Sequence, residues 1–551
     1  MRPGMACHGR FDDERREYVV TDPLTPSPWI NYIGNTRLSA FVSQQAGGLA
    51  WHIEPQQRRL TRYHWLPAPP DRPGFYVYVR ENNGGEIWNP HFAPTCRPLD
   101  FFECRHGLGY TRFAGERNGL RVEATYFIPP GDDIMLWDIA LENRGKDRRQ
   151  VTLASYVEFG LLEFMREMFW CYLKSHIGFS FEPAENWIKY HYHAFEAPYT
   201  PAIFFSCTRR ADGFEASRDA FCGPGGSLER PAMKMGGSEL PGGGHGCGTI
   251  AVNLDLPPGG RERFAYLMGV APDWPKASEL RRKFAGLPAV DRAFVELGDY
   301  WRGKTDSLQV KTGDEHFDRA VNALGPLNSQ VTLERTRDIS TDHMGVDGMR
   351  FRDTMQDALA VSSFDPAFAR ERILMVLSSQ SQSGAGNFSF YPFSPDRRTN
   401  DKPERCDNTV WPIFTIDNLL NETGDTSFLE EMVRFREGGE ATVYEHIRLG
   451  LEYIWKRRGP HGLPTLFDAD WNDGLAVFLD PKAESVMLGM QMVHAARMFG
   501  VHAARMGRQA DASWCSQAAA ELTSILNSDM CGTADGTGGS CFPTAGLSAR
   551  R

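Results

Sequence analysis

The stretch from Pro464 to Leu475 gathers Asp468, Asp470 and Asp473 around Trp471, Asn472 and Gly474. Three carboxylates this close cannot be buried cheaply, so the segment is either a solvated loop or a working pocket. Trp471 argues for the pocket, because a flat apolar face beside acids is how a protein holds a sugar ring while presenting a proton donor. The same residue types also fit a helix N-terminus capped by aspartates, with Trp471 in the core. On residue chemistry alone the two readings stand level.

Positioning such a turn falls to the elements around it. Up to about residue 290 the chain reads as β-rich. Alternating runs such as Gly74–Arg80, Leu120–Phe127 and Ile134–Asn143 are separated by turn clusters such as Glu81–Gly85, a spacing that predicts a large β-sandwich. Gly236–Gly248 is glycine-dense and expected to be a loop with no phosphate-cradling pattern. Beyond Pro275 the texture becomes helical, with Lys276–Phe284 and Ala293–Val310 as linker helices. From Ser485 to Met506, Met487, Met490, Val493, His494, Phe499 and Val501 recur at helical intervals, and the methionines are expected to fill a core. Gln491, His494 and His502 are read as satisfied within a helix interface.

With 551 residues, 41% hydrophobic, the chain has material for two or more cores. A net charge of −10 argues against nucleic acid or an anionic membrane as the main partner. The 11 cysteines follow no zinc-finger or paired spacing, which fits reduced thiols and no metal. Met1–Tyr18 is polar without an apolar core, and no run of about 18 apolar residues exists, so a cytoplasmic protein that does not span a membrane is expected.

Asp470-Trp471-Asn472-Asp473-Gly474-Leu475 resembles the catalytic turn of glycoside hydrolase family 94, the cellobiose and chitobiose phosphorylases. The likeness continues through Phe11–Val19, Pro28–Gly34, Ala46–Gly48, Arg58–Tyr63, Arg105–Tyr110, Phe351–Asp357 and Glu422–Asp425, in the family's order. The resemblance implies an N-terminal β-sandwich over residues 1–285, a helical linker over 286–312 and an incomplete (α/α)6 barrel over 313–531. It also implies inverting phosphorolysis of a β-linked glucosyl disaccharide to α-glucose 1-phosphate, in a homodimer without metal or organic cofactor. A phosphorylase needs only one of the two carboxyls of an inverting hydrolase, because phosphate arrives already anionic. By resemblance Asp473 is that acid, kept protonated by burial and a neighbouring charge such as Asp470. Trp471 and Asp353 carry over to the glycosyl subsite, and Arg337, in Thr332–Arg337, to phosphate. Asp353 also fits an ion pair or helix cap.

Three departures bear on the substrate. Asp347 stands where the family has a sugar-binding arginine, so Arg350 would substitute, and Glu163–Trp170 differs from the family's acceptor-side segment. A cellobionic acid phosphorylase is therefore the runner-up. After Cys531 the family pattern is lost, and restoring one base would return Gly532–Arg551 to a family-like frame, so this tail is expected to be frameshifted and the barrel truncated. Two further readings stand beside phosphorolysis. A hydrolase on the same fold would need a second carboxylate over water, and a non-catalytic carbohydrate-binding remnant would bind sugar without turnover.

Overall fold

The structure, a computed structural model, describes residues 7–55, 58–63, 73–82, 84–163, 167, 177–192, 199–336, 349–392, 405–477 and 482–528, with short backbone pieces at 532–533, 536–537 and 540–541. Two compact units divide it: the first runs to Leu327 and the second opens at Asn328. Residues 534–535, 538–539 and 542–551 of the expected frameshifted tail lie outside the described residues.

In the first unit the alternating runs become two antiparallel sheets. One has ten strands, with Leu120–Phe127, Ile134–Asn143 and Arg261–Ala271 side by side at its centre. The other, of eight, is built around Arg149–Leu162, which pairs with Gly246–Leu256 and Tyr76–Glu81. Period-two alternation sorts the central strands' side chains to two faces. Met135, Trp137, Ile139 and Leu141 enter the core shared by the two sheets, with Leu153, Val157 and Val252. Ile134 and Leu136 face the other way, with Phe204, Ala265 and Leu267.

That second face is covered by two helices, α1 (Trp274–Lys283) and α2 (Leu287–Thr305), through Ala277, Val290, Leu297 and Trp301. The stretch expected as a linker, 286–312, therefore contributes a helix to the first unit's own packing. Two of the family-like stretches meet here too. Buried Glu17 accepts from Arg105 Nη1 at 2.7 Å and from the Tyr110 hydroxyl. Between those partners Gly109 turns the chain at φ +76°, and a Cβ there would lie 2.2 Å from Trp301 Nε1. Only glycine fits.

The second unit is helical. Among its described residues, six helices of eleven residues or more share one core: α3 (Phe351–Val361), α4 (Pro366–Leu377), α5 (Trp411–Thr423), α6 (Val443–Lys456), α7 (Val486–Arg505) and α8 (Gln509–Leu526). Helix α3 buries Phe351, Met355, Ala358 and Val361, spaced three and four apart as one apolar stripe requires. Helix α6 does the same with Val443, Ile447, Leu451 and Ile454 behind a Thr442 N-cap.

Helix α7 corrects the expected phase. Its buried face is Leu488, Gly489, Met492, Ala495, Ala496, Phe499 and Ala503, whereas Met490 and Val501 are 45% and 50% exposed. Ala495, Ala496 and Ala503 share this face with Leu488, Met492 and Phe499, their small side chains allowing close approach. Of the polar residues only His502 meets expectation, buried and bonded to Asp417 Oδ1 at 2.7 Å, whereas His494 is exposed and stacks on Phe414, both partners on α5. Gln491 Oε1 is buried without a hydrogen-bond partner.

Candidate active site

Three segments of the second unit converge. The first is the start of α3, where Arg350 occupies the N-cap position and Asp353 the first turn, favourably placed for the helix dipole. The second is the loop into α5, Arg405–Asp407. The third is the turn from Leu466 to Gly474. The last two are tied by backbone: Arg405 bridges Phe467, and Cys406 N donates to Ala469 O at 3.0 Å.

The turn is pinned from behind by Glu484 and Ser485. Glu484 is fully buried and accepts from the amide nitrogens of His461 and Leu463, at 3.1 and 2.9 Å, and from the His461 ring. Ser485 caps α7, accepting from Leu488 N at 2.9 Å, and its hydroxyl donates to Asp470 Oδ2 at 2.7 Å. Asp470 Oδ1 accepts from Asn472 N at 2.8 Å. Asp470 is thus a buried strut that shapes the turn.

Charge at the centre is organised by two arginines. Arg352 Nη1 donates to Asp407 Oδ1 and to the Asp470 carbonyl, both at 3.1 Å, while Nη2 donates to Asp473 Oδ1 at 3.2 Å. Burial opposes the Arg352 charge, but Asp407, Asp353 and Asp473 more than offset it, so the guanidinium is held charged. Asp407 is buried deeply enough that its carboxyl is pushed above the usual aspartate range despite Arg352, and it also accepts from Trp411 Nε1 at 3.1 Å. Arg405 donates to Asp468 and places Nε 3.1 Å from Asp473 Oδ1. Arg350 and Arg405 both lie over the Phe388 ring, at 4.9 and 5.2 Å from its centroid.

Most residues singled out by sequence meet here. Trp471 is 52% exposed, so it is not the core residue of the capped-helix reading. Asp353 lies 3.8 Å from Arg352 and 4.0 Å from Arg350. Arg337 and Asp347 lie outside the described residues, as does Glu163–Trp170 apart from Glu163 and Glu167. The expected surroundings of Asp473 need correction. Its side chain is 50% exposed and faces two guanidiniums instead of being buried beside Asp470, whose carboxylate is spent on Ser485 and the turn. Sequence reasoning missed Arg405 and Asp407, because nothing in their spacing relates them to a turn some sixty residues later.

No group of three or more potential metal ligands occurs among the described residues, and none of the helices searched there is long and apolar enough to cross a membrane. The eight described cysteines are free.

Comparison with known proteins fits this architecture. Residues 16–287 match the glycosyl hydrolase 94 supersandwich domain, and residues 300–532 match the glycosyl hydrolase 94 superfamily catalytic domain. The chain belongs to glycoside hydrolase family 94. Within that family it is 30% identical to an N,N'-diacetylchitobiose phosphorylase from Vibrio furnissii, over 85% of this chain and 62% of that one. It is also 30% identical to a solabiose phosphorylase from Paenibacillus borealis, over 89% and 62%. The chain thus spans about 62% of the length of these family 94 relatives. A putative kojibiose phosphorylase from the human microbiome shares the fold, with a TM-score of 0.55 at 9% identity over 96% of this chain and 71% of that one.

Proposed function

We propose that this family 94 protein is a glycosyl-transferring disaccharide phosphorylase that splits a β-linked glucosyl disaccharide with inorganic phosphate. Asp473 gives a proton to the departing sugar oxygen as the C1–O bond breaks, and a phosphate oxygen attacks C1 from the opposite face. The product is α-glucose 1-phosphate. Trp471 and Asp353 hold the glucosyl ring, Arg350 assists, and Arg337 receives the phosphate. No metal or organic cofactor takes part, and the enzyme works as a cytoplasmic homodimer.

The supporting observation is the division of labour among the acids. Asp407 and Asp470 are buried and Asp468 is mostly covered beside Arg405, whereas Asp473, held by arginine at Oδ1 alone, is the half-exposed carboxyl of its turn. A hydrolase would need a second carboxylate at liberty to activate water. The arginines favour anionic reactants, and Arg350, over the Phe388 ring, favours an acceptor that itself carries a carboxylate, as in cellobionic acid. Synthesis from α-glucose 1-phosphate with glucose, gluconate, glucuronate and N-acetylglucosamine, followed by phosphate release, tests both points. Release with one of these acceptors supports the reading and names the acceptor. No release with any of them, from protein that still binds sugar, would favour the carbohydrate-binding remnant.

A further inference from the structure

Proton transfer from Asp473 requires a choice between its two oxygens. Both guanidiniums meet the same one. Arg352 Nη2 donates to Oδ1 at 3.2 Å, and Arg405 Nε lies 3.1 Å from Oδ1 as an ion-pair contact without the alignment of a hydrogen bond. Oδ2 has no protein partner among the described residues. Arg405 is itself fixed: Nη1 donates to Asp468, the guanidinium lies over Phe388, and its backbone is bridged to Phe467.

We propose that Arg405 is a positioning residue for the acid, one that together with Arg352 reserves Oδ1 for cations and so confines the transferable proton to Oδ2. This rests on Asp473 being the acid. A hydrogen on Oδ1 would point at guanidinium N–H groups, so the protonated carboxyl carries it on Oδ2. As Oδ2–H passes its proton to the glycosidic oxygen, that oxygen leaves C1 with the bonding electron pair and phosphate bonds to C1. The carboxylate left behind is stabilised by both guanidiniums, which are already in place and need no reorganisation. Solvent returns the proton for the next turnover. Arg405 never touches the sugar.

The test compares Arg405→Met and Arg405→Lys with the parent on two substrates, each with phosphate: the disaccharide, and a β-glucosyl fluoride whose leaving group departs with little help from an acid. Arg405→Met should lower kcat on the disaccharide about 10- to 100-fold, with KM little changed and fluoride turnover within about twofold of the parent. Arg405→Lys, which keeps the charge, should recover much of the loss. Equal losses on both substrates would show a merely structural role, and an unchanged disaccharide rate would show no role; either overturns the proposal. Asp473→Asn run in parallel separates the layers. Full disaccharide activity in that variant removes the acid itself, whereas its loss with Arg405→Met unaffected removes only the clamp.

Discussion

Half of Trp471 faces solvent next to Asp473, an expense of apolar surface that a bound sugar ring would offset. Trp471→Ala should therefore raise KM for the disaccharide about tenfold while leaving the unfolding midpoint unchanged, as steady-state kinetics and thermal denaturation would show. A fall in stability with no change in KM would return the residue to a packing role. Asp473→Asn should lower kcat by about 10²- to 10⁴-fold without loss of fold. Residue chemistry alone left this turn level with a capped helix, and it was the resemblance of Asp470–Leu475 to the family's turn that singled it out. Its inner logic was not. Asp470 and Asp473 look alike in sequence, yet one is a buried strut and the other the exposed carboxyl, a difference set by Ser485, Arg352 and Arg405 from elsewhere in the chain.

At the level of elements, the turn depends on what stands behind it. Ser485 serves two masters, capping α7 and bonding Asp470. Ser485→Ala removes both bonds and leaves a buried carboxylate oxygen without its donor, so unfolding free energy should fall by about 1–3 kcal/mol in urea titration. Ser485→Thr, which keeps the hydroxyl, should recover most of that. The strands Leu120–Phe127 and Ile134–Asn143 were readable to the residue because part-exposed polar residues such as Arg121, Glu123, Asp138 and Glu142 alternate with buried Val122, Ala124, Ile139 and Leu141. Helix α7 was readable as a helix but not in phase: alanines share its packing face with Leu488, Met492 and Phe499, and a search for large apolar residues also follows the exposed Met490 and Val501. The helix within the expected linker was readable but its packing was not, since sequence cannot say that the sandwich has a second apolar face waiting for a helix.

For the molecule as a whole, pH stability should be governed by the first unit. His91 is fully buried and His106 half-buried, and burial lowers their pKa from 6.5 to about 3 and about 4. His91 accepts from Val77 N at 2.9 Å and so has no room for a second ring proton. The folded chain thus refuses protons that the unfolded chain takes up below pH 6.5. Stability is complete above that pH and is lost as pH falls toward 4, roughly 2–3 kcal/mol for each histidine by pH 4.5. Urea midpoints at pH 7 and 4.5 should differ accordingly, and equal midpoints would contradict it. The most direct test of the catalytic account is proton NMR of the disaccharide with the protein, with and without inorganic phosphate. The account predicts α-glucose 1-phosphate when phosphate is present and no cleavage when it is absent; free glucose released without phosphate would contradict it.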